Sequence, residues 1–283
     1  PFSRGSSRSV EPRRVMAALD DLHARGIREV VLTGVHLGGY GKDLDPAVEL
    51  ADLLEMIAER CPIERVRISS LDPEELSDRI IEIISSSEKF CPHLHLPLQS
   101  GDDETLSRMR RRYARDDFRD RVERVLSAWP DAAIGTDLIV GFPGESTPQF
   151  ESYFNFVESM PLAYFHVFPY SVRAGTTAAK FAGRVKPAEI KRRAALMREL
   201  GDRKRNEFAR GLLGTKLKVL LEERGLAGEL RGYSRNYVRV ATQGPDELIN
   251  REVEVEASTV EGAQLVGEIA RPRAGEAVCA AVC

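Results

Sequence analysis

The chain has 283 residues, 42% hydrophobic and 30% charged, which is enough for one large core and a small second domain. A formal net charge of -3 excludes global attraction to polyanions, so any nucleic-acid site must come from local clustering. No apolar run approaches the ~20 residues of a membrane span; the start carries no secretory signal, and the scattered Cys61, Cys91, Cys279 and Cys283 make no disulfide framework, so the chain reads as cytoplasmic with reduced thiols.

In chain order, the first element is a helix near Pro12 to Arg25, followed by an apolar, β-branched strand at Glu29 to Thr33. A helix over Ala47 to Arg60, a strand at Glu64 to Ser70 and a helix over Pro73 to Ser85 repeat the alternation, with Asp45-Pro46 and Asp72-Pro73 as capping signals. Next come a strand at His93 to Pro97, helices at Asp102 to Arg111 and Asp116 to Ala128, and a strand at Ala133 to Val140. A helix over Pro148 to Ser159, a strand at Tyr164 to Tyr170 and a long helix over Pro187 to Gly211 complete this half. Strand starts about 30 to 40 residues apart are the length of βα units and predict a parallel sheet. It is either an incomplete barrel or an open doubly wound sheet, which the pattern does not separate.

After Gly211 the texture changes to short alternating strands: Lys216 to Glu222, Leu226 to Tyr233, Tyr237 to Thr242, Arg251 to Ala257 and Leu265 to Ala270. This spacing predicts a small OB-type β-barrel. The expected division is 1–185 for the α/β barrel, 186–211 for a linking helix, 212–275 for the β-barrel and 276–283 for a loosely held tail.

Ligands of a parallel barrel sit at the carboxyl ends of its strands, and those positions are unusually polar here. They read Thr33-Gly34-Val35-His36, Ser69-Ser70-Leu71-Asp72, Gln99-Ser100-Gly101, Gly141-Phe142-Pro143-Gly144-Glu145 and Pro169-Tyr170-Ser171. Glycines allow close approach to the backbone, and hydroxyls and an amide offer hydrogen bonds without fixed charge, which suits a nucleoside-like cofactor. Gly34 to Gly41 lacks the Gly-Lys-Ser/Thr ending of a triphosphate loop. Asp137 lies inside an apolar strand, where a carboxylate is costly unless it reaches the barrel mouth or finds donors. His93 and His95 share a strand face, but with no third ligand at a familiar spacing they are read as packing residues, and no metal site is assigned.

Arginines crowd 108–124 and line the long helix, consistent with a phosphate-binding flank. In the β-domain, Arg231, Tyr233, Arg235, Asn236, Tyr237 and Arg239 interleave cations with aromatic rings, a mixture suited to stacking bases and neutralising phosphates.

The motifs Pro1-Phe2-Ser3-Arg4-Gly5, Leu32 to Gly41, His95 to Gly101, Asp137 to Glu145 and Phe168 to Ser171 resemble those of the radical-SAM methylthiotransferase family. The Gly34-Val35-His36-Leu37-Gly38-Gly39 stretch is most similar to the subfamily acting on threonylcarbamoyladenosine beside the tRNA anticodon; the isopentenyladenosine and ribosomal-protein enzymes are the near alternatives. The resemblance implies a partial radical-SAM, TIM-like barrel lacking its first strand, followed by a TRAM-type RNA-binding barrel. It implies S-adenosylmethionine and 4Fe-4S clusters as cofactors and tRNA as partner, with a methylthio group added to a modified adenosine. Thr33, Gly34, His36, Ser69, Ser70, Gln99, Ser100, Asp137, Pro169 and Tyr170 would then line the S-adenosylmethionine pocket.

The family's cluster-binding Cys-x-x-x-Cys-x-x-Cys precedes the proline matched by Pro1, and no cysteine of this chain matches it. The expectation is a methylthiotransferase fragment that is inactive alone. Two alternatives are a non-catalytic RNA-binding module and an unrelated barrel enzyme that binds a phosphorylated metabolite at Gly141 to Glu145.

Overall fold

In a computed structural model, which describes residues 7–270, the β-branched runs form five parallel strands: β1 (Glu29–Leu32), β2 (Arg65–Ile68), β3 (His93–His95), β4 (Ala133–Val140) and β5 (Tyr164–Pro169). β1 pairs with β2, placing Glu29 opposite Arg65, and β4 lies between β3 and β5, placing Asp137 opposite His166. The two groups meet where Val66 N–H donates to Lys89 O at 2.8 Å and Cys91 N–H donates to Val66 O at 2.9 Å. Neighbours follow chain order with no reversal. That is the wall of a barrel, since a doubly wound sheet reverses its order at a switch point.

Helices α1 (Pro12–Ala24), α2 (Leu50–Arg60), α3 (Asp78–Ser86), α4 (Asp103–Arg108), α5 (Arg115–Ala128), α6 (Thr147–Ser159) and α7 (Pro187–Gly211) intervene or follow. One face of the strands packs on them: Val66, Ile68, Leu94, Ile134, Leu138 and Val140 share a core with Leu54, Ile57, Ile84, Phe118, Val122 and Val157. Burying such side chains stabilises by about 1.5–3 kcal/mol each.

Three helices depart from their predicted bounds for local reasons: α2 starts at Leu50 rather than Ala47, after Glu49, whose N–H donates to Asp52 Oδ2 at 2.9 Å. The stretch from Pro73 breaks after a 3-10 turn because Ser77 Oγ accepts from Ile80 N–H at 3.2 Å and starts α3 afresh. α4 ends at Arg108 because Arg110 takes a left-handed φ of 59°, with its N–H on Ser107 O and the Arg111 N–H on Leu106 O. This is a Schellman stop with arginine where glycine is usual.

The chain divides into two compact units, Pro1–Phe208 and Ala209–Cys283. The second contains β6 (Lys216–Arg224), β7 (Leu230–Ser234), β8 (Arg239–Thr242), β9 (Glu252–Glu261) and β10 (Gln264–Ile269) in a closed barrel. Its circuit runs β6-β7-β8-β10-β9 and back to β6, with the β8–β10 pairing parallel, as in an OB-type barrel. Val219, Leu221, Leu230, Val240, Val255 and Leu265 fill its interior. The opening motif at Pro1, the expected tail at 276–283 and Cys279 and Cys283 lie outside the described residues. Among the described residues no helix is long and apolar enough to cross a membrane.

Candidate cofactor-binding site

The strand face turned away from the helices carries ionisable residues. Arg65 and Arg67 converge on Glu29: Arg65 Nε donates to Oε2 at 2.9 Å and Arg67 Nε to Oε1 at 3.0 Å. Burial pulls the Glu29 carboxyl upward, but the two guanidinium groups together bring it below its usual range.

Further along the same face, the Tyr164 hydroxyl shares hydrogen bonds with His93 Nε2 at 2.7 Å and His95 Nδ1 at 3.4 Å, and His95 Nε2 lies 3.2 Å from Asp137 Oδ1. Gly135 makes room for this row, since a Cβ there would overlap the Tyr164 ring. Burial, with Arg67 and His95 adding, holds His93 at a pKa of about 3, so it is neutral near pH 7. His166 joins from β5, and ligand-type atoms of His95, Asp137 and His166 all lie within 4.8 Å of one another. Sequence reading left His95 without third-ligand candidates because its neighbours come from separate strands. The β4–β5 register is what brings them in.

At the carboxyl ends of β3, β4 and β5 lies a cavity of about 370 Å³, lined by Gln99, Asp137, Ile139, Phe142, Phe168, Pro169, Tyr170 and Arg173 among others. Gln99 holds a left-handed φ of 68° while its backbone bridges to β4: its N–H donates to Asp137 O and its carbonyl accepts from Ile139 N–H, both at 2.8 Å. Tyr170 lines this cavity, and its hydroxyl is buried with no hydrogen-bond partner. Such an orphan is a ready contact for a polar ligand. The loop that carries Phe142 is held firmly: Gly141 N–H donates to Glu145 Oε1 at 3.0 Å, and Arg193 Nη1 donates to the same oxygen at 2.6 Å, with both side chains almost fully buried.

Of the expected pocket residues, Gln99, Asp137, Pro169 and Tyr170 therefore share one cavity. Thr33, Gly34 and His36 line a different one of about 580 Å³ beside α1, where His36 Nε2 contacts Glu75. Ser69, Ser70 and Ser100 line neither. Ser70 is exposed and Ser69 half-buried, while Ser100 is fully buried, with its Oγ accepting from Asp102 N–H at 3.3 Å in the turn into α4. Phe142, Phe168 and Arg173 are pocket residues that the sequence reading does not name as such; Phe142 and Arg173 follow strands β4 and β5, and Phe168 is the next-to-last residue of β5.

In the small barrel, the β7–β8 turn stacks Tyr233 on Tyr237 with ring centroids 5.0 Å apart, and Tyr237 is exposed with φ 65°. The neighbouring arginines are all paired: Arg235 with Glu252 at 2.6 Å, Arg239 with Glu223 at 3.4 Å and Arg231 with Glu229. Asn236 is buried, and its Oδ1 accepts from Ser234 Oγ at 2.6 Å, holding the turn.

The profile of the radical SAM superfamily matches residues 2–157. The chain is 36% identical over 260 residues to threonylcarbamoyladenosine tRNA methylthiotransferase MtaB of Bacillus subtilis, covering 90% of this chain and 57% of that protein. It is 34% identical over 275 residues to the tRNA-2-methylthio-N(6)-dimethylallyladenosine synthase of Clostridium botulinum, covering 95% of this chain and 60% of that protein. The chain thus spans under two thirds of the length of these relatives. Among solved structures, coproporphyrinogen III oxidase of Escherichia coli, a radical SAM enzyme, superposes with a TM-score of 0.51 at 13% identity, covering 83% of this chain and 61% of that one, a likeness of fold.

Proposed function

We propose, because this chain belongs to the radical SAM superfamily, that its parallel-strand unit is the S-adenosylmethionine-binding wall of a tRNA methylthiotransferase. The observation that carries the reading is the cavity uniting Gln99, Asp137, Phe142 and Tyr170 at three adjacent strand ends. Its size falls in the range of small-molecule sites, of roughly 300–1,000 Å³. The half-buried Asp137 carboxylate accepts hydrogen bonds from hydroxyls, the Gln99 amide and the orphaned Tyr170 hydroxyl add directional hydrogen bonds, and Phe142 and Phe168 offer ring faces to a base. When bound, S-adenosylmethionine supplies radical and methyl-donor chemistry. The chain's own part is to hold the nucleoside end and exclude water from it.

The thiolate set of a 4Fe-4S cluster is not supplied by the described residues. Their cysteines, Cys61 and Cys91, are both buried, and burial pushes the Cys61 thiol upward, away from the thiolate a cluster needs. The relatives support a modified adenosine in tRNA as substrate. The Gly34 to Gly39 stretch favours threonylcarbamoyladenosine over the dimethylallyl form. The small barrel, of TRAM type in this reading, presents the Tyr233–Tyr237 stack to RNA bases.

Titration calorimetry tests the pocket: S-adenosylmethionine binds the chain, and Asp137→Asn weakens it about tenfold, the loss of one charge-assisted hydrogen bond. Equal affinity in the variant removes Asp137 from the pocket. After anaerobic treatment with iron and sulfide, the chain by itself forms no 5'-deoxyadenosine, and clear turnover contradicts the cysteine argument.

A further inference from the structure

The arginines singled out along 108–124 separate into two groups once their partners are known. Arg115, Arg119, Arg121 and Arg124 are paired with Asp103, Asp116 and Asp78, an ordinary solvated helix surface. The arginines near the end of α4 differ. Among the described residues no carboxylate pairs with Arg110, Arg112 or Arg173, and Arg111 reaches Asp72 only at 3.6 Å. Arg108 donates from Nη1 to Pro143 O at 2.8 Å, while its Nε and Nη2 are buried without a partner.

All of these but Arg112 line one cleft. Arg108, Arg110 and Arg111 line a second cavity of about 330 Å³ together with Thr177 and Phe181. It shares Gln99, Ile139, Phe142 and Ala178 with the cavity of Asp137, whose far rim carries Arg173. The two form a bipartite cleft, one lobe with an acid and aromatic rings, the other with cations. Among the described residues, two of the four non-glycine positions at positive φ, Gln99 and Arg110, line the arginine lobe.

We propose that the arginine lobe is a phosphate-anchoring subsite that holds the RNA backbone beside the nucleotide presented to the S-adenosylmethionine of the Asp137 lobe. The inference rests on the reading of this chain as an RNA-modifying protein and adds residues to it. Unpaired guanidinium groups attract a polyanion. S-adenosylmethionine, with a carboxylate set against an ammonium and a sulfonium, carries net positive charge and gains little from a surplus of arginines.

Fluorescence anisotropy of the full chain with a labelled RNA stem-loop, measured across salt concentrations, tests the proposal. Arg110→Ala and Arg111→Ala, which line the arginine lobe and not the Asp137 cavity, each weaken binding several-fold and lower the salt slope by about 0.7–0.9, one phosphate contact each. Arg25→Ala, whose exposed side chain pairs with Asp21 on α1, leaves both quantities unchanged. S-adenosylmethionine affinity, read by calorimetry, stays within twofold in both cleft variants and confirms that they fold. RNA binding by the parent chain that neither cleft variant alters in strength or slope overturns the subsite alone, and so does a loss confined to S-adenosylmethionine. A parent chain with no salt-dependent RNA binding overturns the RNA-modifying reading as well.

Discussion

Val219, Leu221, Val240 and Leu265 fill the closed interior of the small barrel, whereas Glu29, Arg65, Arg67, His93, His95 and Asp137 occupy the non-helical face of the parallel strands. The difference follows from what covers each sheet. Among the described residues no α-helix intervenes between the strands of the small barrel, and its core is on the inside. The parallel strands bury their apolar side chains against helices, which frees the opposite face for polar groups at a site. The same contrast extends to arginine. On the β7–β8 hairpin each arginine meets a glutamate, while at the α4 end several meet none. A tyrosine–arginine pattern in sequence is therefore weaker support for RNA contact than the pairing state that the fold imposes.

Three measurements sharpen or break that contrast. The largest effect is expected in the loop that carries Phe142, where Arg193→Ala leaves the buried Glu145 carboxylate without its cation and the Phe150 ring without its guanidinium cover. Stability should fall by about 3–5 kcal/mol in urea unfolding. A loss under 1 kcal/mol would mean that the loop from Gly141 to Glu145 is not held by this pair.

Next in size is an acid dependence owed to His93. Its folded-state pKa of about 3 lies below the usual 6.5, so the unfolded chain binds a proton that the folded chain refuses as pH falls through that window. Stability is thereby lost from about pH 6.5 downward, at up to about 1.4 kcal/mol per pH unit. His93→Gln should flatten the pH profile of the unfolding free energy between these limits, and parallel profiles would show that the imidazole does not stay neutral.

The smallest expected effect lies on the barrel hairpin. Tyr237→Ala removes an exposed ring that is half of a stacked pair and should weaken RNA stem-loop binding by about 1–3 kcal/mol. Arg235→Ala, whose guanidinium is bound by Glu252, should weaken it less. The reverse order would return the hairpin arginines to the role their spacing suggested.

The sequence by itself determined the alternation of strands and helices, the change of texture after Gly211 and the polar strand ends, because hydrophobic period and turn chemistry are local properties. β4 and α7 fall where the pattern put them, and the other strands agree within a few residues. Where α4 stops was hidden, since Arg110 adopts a conformation that only glycine or asparagine advertises. Tertiary structure alone decided that the strands follow one another as a barrel wall and that Gln99 and Asp137 share a cavity apart from Gly34 and His36. It also decided that His95 meets Asp137 and His166, and which arginines keep a free charge. Each of these depends on strand register or on partners distant in sequence, and no local pattern encodes the side chain that will stand opposite.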